Sequence, residues 1–508
     1  MALQQQAVSA FSTEHLHGDL RGRSVRGGML TLTSQGAQFL IQTVGTVVLA
    51  RLLAPAEYGL VAMVTAITGL GQAFADMGLS EATIQHPEIS HDQVSTLFWI
   101  NVAIGAGLMS ITAALAPLLA WFYHEPRLIN ITLVCSSTFL IGGLRVQHDA
   151  LLRRQMRFVS LAIRDVTSYA IAVPLAICLA LKGAGYWAIV VLPLTLNFTG
   201  MVFSWFMARW MPGPPRRNAN VRSLISFGGN VAASYLVITL TRSADSILIG
   251  WHWGAGPLGL YSRACNLLML PVRQLGAPAR SVAVPAFSRV QVDPERLARY
   301  YLRTVNVIMW VSAPLFGYLF VAAEPVIAIT LGSRWHEAAP VFQLLAILAL
   351  SQLLLDATGW LLVSQGRSMR LLQMTLILAP VMIASYAIGL PFGIRSVALC
   401  SSIASLLVYP AILKFSFRGT KITLRRLAGA ICYPVLLCLV GTASGQLALH
   451  YIVSHGAVSE LLIAALGFTL GCMLSLLLPQ MRKDFMSLWS LLIRSRSIHG
   501  PQLTESLL

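Results

Sequence analysis

The feature that most constrains this chain is a series of apolar segments, each long enough to cross a bilayer, along nearly all of its 508 residues. An α-helix rises 1.5 Å per residue, so a hydrocarbon core of about 30 Å takes roughly 20 apolar residues. With a short loop after each span, the chain has room for about twelve to fourteen helices. We predict an all-α polytopic membrane protein with about 14 transmembrane helices.

The overall composition agrees with this fold class. Hydrophobic residues make up 56% of the chain and charged residues only 11%, and the mean hydropathy is +0.71. A soluble domain carries about 25% charged residues, so most of this surface is expected to face lipid. In chain order the predicted spans are Met29–Leu53, Tyr58–Ser80, Val94–Trp121, Leu128–Val146, Phe158–Leu181, Tyr186–Ala208, Leu224–Gly250, Pro257–Phe287, Leu302–Ala323, Ala339–Val363, Leu371–Leu390, Ser396–Leu413, Leu427–Leu449 and Glu460–Leu478.

The basic residues indicate an orientation. The net charge is +17, and 26 Lys and Arg fall in alternate connectors and termini, against five in the remaining loops. Positive charge retains loops in the cytoplasm and meets anionic lipid, so we predict that both termini are cytoplasmic and that nucleic acid is not a partner. The loop Glu81–Gln93 is predicted to be cytoplasmic although it has no Lys or Arg. We expect it to dock on neighbouring helices.

The motifs of enzymes are absent from the sequence. None of the predicted outer loops exceeds about 15 residues, whereas membrane glycosyltransferases and polymerases are expected to have a sizeable external loop or domain. There is no hydrolase elbow, P-loop or paired-cysteine motif. The seven cysteines suggest neither a disulfide framework nor a zinc site. We therefore predict a protein that is not an enzyme, has no cofactor and uses no nucleotide, so that any transport is secondary or passive.

An internal repeat divides the chain. Gly59-Leu60 and Gly259-Leu260 lie 200 residues apart in similar turns, and Gly27-Gly28 and Gly228-Gly229 precede their spans at nearly the same offset. Six spans separate the copies, so both halves have the same orientation, and we predict two six-helix lobes around a central cleft. The predicted regions are an N-terminal cytoplasmic tail (1–28), an N-lobe (29–208), a linker (209–223), a C-lobe (224–413), two accessory helices (427–478) and a cytoplasmic tail (479–508).

Apart from charges near the ends of spans, nine charged residues lie inside the predicted spans, where an arginine costs about 2.5–3.5 kcal/mol on insertion scales. Most of them are therefore expected to face protein or water. The candidates for an anion site are Arg164, Arg242, Arg263, Arg273 and Arg280, and the candidates for binding a coupling proton or cation are Asp76, Asp165, Asp245 and Asp356.

Each candidate has a structural alternative. Arg164 and Arg280 can extend to the lipid headgroups, and Arg242 and Asp245 can form an i,i+3 pair. Arg273 can pair with Asp76 or Asp356, or it can bind an anion on the cleft wall, because guanidinium groups suit phosphate oxygens. Helix neighbours do not share a face, so at most one of Arg164 and Asp165 is expected to face the cleft.

Four stretches carry a family resemblance: residues 52–60 (LLAPAEYGL), 74–85 (FADMGLSEATIQ), 150–158 (ALLRRQMRF) and 259–264 (GLYSRA). With them, residues 25 to 420 resemble the polysaccharide transporter family of the multidrug/oligosaccharidyl-lipid/polysaccharide flippase superfamily, most of all exporters of the colanic-acid type. The resemblance implies a bacterial inner-membrane flippase for undecaprenyl-pyrophosphate-linked oligosaccharides. It further implies alternating access around a cationic cavity, with coupling to an ion gradient.

The partners implied are the lipid-linked oligosaccharide, membrane lipids, H⁺ or Na⁺, and a polymerase and chain-length regulator of the same pathway. Three alternatives stay open at this point. A cationic drug exporter of the same superfamily would favour acids over arginines in the cleft. A lipid II flippase is related, and its loss would lyse cells. A membrane glycosyltransferase or polymerase would elongate a glycan.

Overall fold

The computed structural model describes residues 20–75, 80, 83, 84, 89–216, 239–452 and 456–486. All regular secondary structure in these ranges is helical. Among the described residues, ten helices are long and apolar enough to cross a membrane. The protein is thus an all-α, multi-pass membrane protein, as predicted from the sequence.

The described α-helices follow one another as α1 to α16, some as halves of a broken span, and residues 479–486 form a further short helix. The sixteen are α1 Leu20–Leu52, α2 Pro55–Ala75, α3 His91–Ala114, α4 Ala116–Phe122, α5 Leu128–Arg154, α6 Phe158–Leu181, α7 Tyr186–Ala208, α8 (residues 239–253), α9 Ala255–Val290, α10 Pro294–Val321, α11 Ala323–Thr330, α12 Ala338–Ser364, α13 Ser368–Gly389, α14 Ile394–Ser416, α15 Leu424–Tyr451 and α16 Ala457–Ser475.

The predicted spans agree with these helices to different degrees. Phe158–Leu181 and Tyr186–Ala208 have the observed bounds of α6 and α7. The predicted span Val94–Trp121 is two helices, α3 and α4, because the chain breaks at Leu115 before Pro117, whose ring disfavours a continuous helix. The helix α5 continues to Arg154, eight residues beyond its predicted end, and this extension adds charged residues to the helix.

Two helices that begin at the predicted cytoplasmic side start with side-chain caps. Ser90 and Gln93 form a capping box at the start of α3. Asp293 caps α10 by accepting hydrogen bonds from the backbone amides of Glu295 and Arg296. These hydrogen bonds hold the pKa of Asp293 below its ordinary value, and the bond from the amide of Arg296 has the larger effect.

The chain divides into two compact units, Met1–Ser262 and Arg263–Leu508. The predicted division between the lobes lay earlier, at the linker 209–223. In unit 1, residues 210–216 of that linker lie against the start of α3. Trp210 donates to His91 at 3.1 Å, and the amide of Gly213 donates to Ser95 at 2.9 Å.

The helices recur in order at nearly constant offsets. The helices α5 and α12 have 27 residues each and begin 210 residues apart. The helices α7 and α14 have 23 residues each and begin 208 residues apart, each after a glycine of positive φ. These equal lengths support the internal repeat inferred from the sequence.

The turns after α5 and α12 also match. In unit 1, Met156 has a φ of 53° and Arg157 precedes α6; in unit 2, Gly366 has a φ of 67° and Arg367 precedes α13. Arg157 donates to the carbonyl of Met207 at the end of α7, at 2.8 Å. Arg367 donates to the carbonyl of Arg418 just after α14. Each arginine thus places positive charge at the negative end of a helix dipole.

The two glycines of the sequence repeat contact each other's helices within unit 1. A Cβ atom on Gly59 would lie 1.7 Å from the carbonyl oxygen of Ala255, and one on Gly259 would lie 1.8 Å from that of Pro55. Ala255 is 200 residues after Pro55, so the contact is reciprocal. Only glycine permits this close approach of two backbones.

The helices α3 and α5 of unit 1 also pack through small residues. A Cβ atom on Gly143 would lie 2.5 Å from the carbonyl oxygen of Asn101, and one on Gly105 would lie 2.6 Å from that of Phe139. The neighbouring Gly142 faces open space. The close approach of α3 and α5 therefore requires a glycine at position 143 but not at position 142.

We expect Gly143→Ala to lower the free energy of unfolding by about 1–3 kcal/mol, because the methyl group would overlap the backbone of α3. Gly142→Ala is the matched control, and it should leave stability unchanged or raise it, since alanine favours helix by up to about 1 kcal/mol. Thermal unfolding of the purified protein in detergent measures both. Equal effects of the two substitutions would contradict this packing.

The last two helices belong to unit 2. The helix α15 packs on α10, and a Cβ atom on Gly445 would lie 3.1 Å from Val321 of α10. A Cβ atom on Gly467 of α16 would lie 3.0 Å from the backbone carbonyl oxygen of Ser444 in α15. Beyond α16, Asp484 accepts a hydrogen bond from the indole of Trp310 at 3.0 Å. Small residues thus hold this pair tightly on the rest of unit 2.

Candidate functional site: charged residues of the membrane helices

Three helices of unit 1 bring charged residues together near the predicted cytoplasmic side. The guanidinium of Arg164 on α6 contacts Asp149 of α5 at 2.5 Å and Asp165 at 2.6 Å. Arg145 contacts the other carboxylate oxygen of Asp149 at 2.9 Å. The hydroxyl of Ser204 on α7 donates to Asp149 at 2.5 Å. We call these five residues the charged cluster.

The local fold explains why the charged cluster forms. Because α5 continues past Val146, Asp149 lies one helical turn after Arg145, the spacing at which helix side chains meet. Gly200 of α7 leaves room for the guanidinium of Arg145, since a Cβ atom there would lie 2.6 Å from its Nη1 atom. Two arginines and two aspartates make the charged cluster neutral overall.

Arg164 is only 4% exposed, so it does not extend to the headgroups. Its guanidinium lies between two carboxylates, which satisfies a charge that would be costly to bury alone. Arg164 and Asp165 are neighbours on α6, and their charged ends meet. The long arginine side chain turns back, and its Nε and Nη2 atoms both donate to Asp165.

Sequence reasoning missed two residues of the charged cluster, Asp149 and Ser204. Asp149 was assigned to a loop because the predicted span ended at Val146. The i,i+4 spacing of Arg145 and Asp149 was a usable signal, since such pairs stabilise helices. No comparable signal marks Ser204, whose role depends on how α7 packs.

In unit 2, α9 carries Arg263, Arg273 and Arg280. Arg273 and Arg280 are both exposed, whereas Arg263 is half-buried. Arg273 and Arg280 form neither an ion pair nor a side-chain hydrogen bond with any residue in the described ranges. Seven residues separate them, so they lie on one face of the helix about 10 Å apart along its axis.

Asp356 of α12 does not pair with Arg273. Its carboxylate accepts a hydrogen bond from Gln352, one turn earlier, at 2.9 Å. A Cβ atom on Gly276 of α9 would lie 3.9 Å from Leu353 of α12. Asp356 lies almost one turn after Leu353, so along the helix it is nearer to Arg280 than to Arg273. The alternative in which Asp356 neutralises Arg273 is therefore absent from this structure.

The predicted pair of Arg242 and Asp245 on α8 is also absent. Asp245 is buried and accepts hydrogen bonds from the hydroxyl of Tyr261, at 3.1 Å, and from the amide of Ser246. Arg242 is exposed and has no partner among the described residues. The candidate Asp76 lies outside the described residues.

The charges thus form two different environments. The charged cluster of unit 1 is neutral and satisfied, whereas the exposed guanidinium groups of α9 have unused donors. Guanidinium groups without a carboxylate partner suit doubly charged phosphate oxygens. Within the described ranges, no group of three His, Cys, Asp or Glu side chains is placed to hold a metal ion.

Known proteins resemble this chain in sequence and in fold. A family model described as "Polysaccharide biosynthesis protein" matches residues 48–340. The teichuronic acid biosynthesis protein TuaB of Bacillus subtilis is 28% identical over 59% of this chain and 63% of its own length. The lipopolysaccharide biosynthesis protein WzxC of Escherichia coli is 24% identical over 68% of this chain and 71% of its own length. The succinoglycan biosynthesis transport protein ExoT of Rhizobium meliloti is 26% identical over 62% and 64%.

Solved structures identify the fold. A lipid II flippase, MurJ, in an inward closed conformation matches with a TM-score of 0.70 and 12% identity, over 88% of this chain and 99% of the other. An inward-facing multidrug resistance transporter of the MATE family matches with a TM-score of 0.57 and 13% identity, over 77% and 95%. The described helices therefore have the same fold as these two membrane proteins. Since the family model matches more than half of its residues, this chain belongs to the polysaccharide biosynthesis protein family.

Proposed function

We propose that this protein is a flippase that carries undecaprenyl-pyrophosphate-linked oligosaccharide repeat units across the bacterial inner membrane. The products would be an exopolysaccharide or an O-antigen. In this proposal two six-helix lobes alternate access to a central cleft, driven by an ion gradient. In this proposal both termini lie in the cytoplasm, which the positive-inside distribution of Lys and Arg supports.

The observation that carries this proposal is the pair Arg273 and Arg280, which are exposed on α9 and have no carboxylate partner among the described residues. The sequence predicts that residues 257–287 of this helix span the membrane. An arginine inside a bilayer is retained when it faces a water-filled cavity or a charged ligand. A diphosphate offers oxygens that guanidinium groups bind through short, charge-assisted hydrogen bonds. Arg242 and Arg263 are further candidates for this binding. Arg164 is a weaker candidate, because two carboxylates already occupy its donors.

The relatives support a polymeric sugar as the final product. Their names refer to teichuronic acid, lipopolysaccharide and succinoglycan, and one is called a transport protein. The matched parts cover about two thirds of these proteins, so we extend their substrates to this chain only as a proposal. A polymerase and a chain-length regulator would act on the flipped units.

Two other transport functions fit the same fold. A multidrug exporter would bind cations, for which exposed arginines are unfavourable because like charges repel. A lipid II flippase also carries a pyrophosphate-linked lipid, as the name of the structural neighbour MurJ suggests. The substrate therefore has to be decided by what accumulates when the protein is lost.

A strain without this protein is expected to lose its surface polysaccharide and to accumulate a lipid-linked oligosaccharide whose glycan stays on the cytoplasmic side. Mass spectrometry of extracted lipids identifies the intermediate, and a membrane-impermeant glycan label reports its side. Drug susceptibility should not change. Lysis with accumulated lipid II, or drug sensitivity with normal polysaccharide, would contradict the proposal. Glycan elongation by the purified protein would indicate a glycosyltransferase or polymerase instead.

A further inference from the structure

The internal repeat allows the charged cluster of unit 1 to be compared with the same place in unit 2. The helices α5 and α6 correspond to α12 and α13 at an offset of 210 residues, and α7 corresponds to α14 at 208. The counterparts of the cluster residues are Leu355 for Arg145, Gly359 for Asp149, Met374 for Arg164, Thr375 for Asp165 and Ile412 for Ser204.

In unit 2 this place is a hydrophobic core. Leu355, Met374 and Ile412 are buried together with Leu362 and Tyr409 in one apolar cluster. Val408, the counterpart of Gly200, packs against the same cluster. The three corresponding helices of unit 2, α12, α13 and α14, therefore pack without any charge at this position. Two of them, α12 and α14, have the same lengths as α5 and α7.

This comparison indicates that the fold does not require the charged cluster. Replacing a buried ion pair by hydrophobic residues of similar volume is often neutral or stabilising, because the cost of desolvating charges is avoided. In unit 2 of the same chain, hydrophobic residues occupy the corresponding positions. The charges of unit 1 are thus retained for a purpose other than packing.

The chemistry of the charged cluster favours a proton over a metal cation. Two guanidinium groups within 3 Å of the carboxylates repel Na⁺ and occupy the oxygens that would bind it. An arginine stays protonated at all ordinary pH values, so only the aspartates can exchange a proton. A proton adds to a carboxylate without needing a coordination shell.

The two aspartates differ in their surroundings. Asp149 accepts from Arg145, Arg164 and Ser204, and its side chain is 15% exposed. Among the described residues Asp165 accepts from Arg164 alone, and its side chain is 34% exposed. Tyr169, one turn further along α6, interacts with Asp165, and His148, next to Asp149 on α5, interacts with Asp149. The described side chains of α1, which packs on α6, include no charge except Arg51 near the opposite end.

We propose that Asp165, paired with Arg164, takes up and releases the proton whose gradient drives transport, a role that rests on the proposed function. Protonation of Asp165 removes one negative charge, so the charged cluster changes from neutral to a net charge of +1. Arg164 then loses one of its two counter-ions, and its Nε and Nη2 donors become available to an anion. Deprotonation restores the neutral cluster.

A repeat-swap variant tests whether the charges serve function rather than fold. It gives unit 1 the residues of unit 2: Arg145→Leu, Asp149→Gly, Arg164→Met, Asp165→Thr, Gly200→Val and Ser204→Ile. The variant is expected to insert into membranes and to unfold at a temperature no lower than the wild type, yet to lose polysaccharide export. Normal export, or failure to fold, would each overturn the proposal.

A second test observes the proton directly and does not depend on transport. Infrared difference spectra of the purified protein in liposomes, recorded between neutral and acidic pH, contain a carboxylic acid C=O band when an aspartate is protonated. Asp165→Asn is expected to remove part of this band, and Asp356→Asn, the matched intramembrane control, to leave that part in place. An unchanged band in Asp165→Asn would overturn the proposal, even if the flippase function holds.

Discussion

Replacing Arg273 by alanine is expected to abolish export of the surface polysaccharide while the protein still inserts into the membrane. Arg273 is exposed on α9 and has no partner among the described residues, so its removal leaves no buried charge behind. The lost interaction is with the substrate, and hydrogen bonds to charged groups contribute about 1.5–3 kcal/mol each. Substrate binding should fall by roughly tenfold to a hundredfold. Quantifying extracellular polysaccharide in a complemented deletion strain measures the effect.

Two further variants make this result specific. Arg273→Lys keeps the charge but loses the planar pair of donors, and it should restore export only in part. Arg289→Ala is the control, because Arg289 is exposed on the same helix but lies about 160° around it from Arg273. Its export should equal that of the wild type. Normal export by Arg273→Ala would exclude Arg273 from substrate binding.

The second large effect is expected from Asp149→Ala, which should lower the free energy of unfolding by about 3 kcal/mol or more. Asp149 is the common partner of Arg145, Arg164 and Ser204. Removing it leaves two arginines with one remaining carboxylate in a poorly solvated place, and an unpaired buried charge is costly. Thermal unfolding in detergent gives the measurement.

The combined change Arg145→Leu, Asp149→Gly, Arg164→Met and Asp165→Thr should recover most of this lost stability, because it removes all four charges together. Asp356→Ala is the matched control, since Asp356 is a half-buried aspartate bonded to the neutral amide of Gln352. It should lower stability by less than Asp149→Ala. A mild effect of Asp149→Ala would show that water already satisfies Arg145 and Arg164.

The sequence was most informative where burial in lipid dictates composition. The bounds of α6 and α7 agree with the predicted spans because both ends of each run are marked by polar residues and turn glycines. The repeat was visible from Gly59 and Gly259 because their close mutual contacts exclude any side chain. Their spacing therefore reflects a physical requirement rather than a preference for turns.

Prediction was weakest where a helix extends past its apolar run. The helix α5 continues for eight residues beyond Val146, so Asp149 was taken for a loop residue and the charged cluster was missed. The pairing of Arg242 with Asp245 failed for a related reason. Asp245 is buried against Tyr261, a residue of the next helix, and its carboxylate is satisfied there. Spacing along one helix cannot reveal such a partner.

The sequence by itself determined the fold class, the approximate spans, the repeat and the arginines that stand out on α9. Apolar length and periodic charge leave few alternatives in a bilayer, because every backbone group must be satisfied inside a helix. Only the tertiary structure decided which charges are neutralised. Arg164 and Arg273 look alike in the sequence, but Arg164 lies between two carboxylates, whereas Arg273 has no carboxylate partner among the described residues. The difference depends on which helices pack together, and therefore on contacts between residues far apart in the chain.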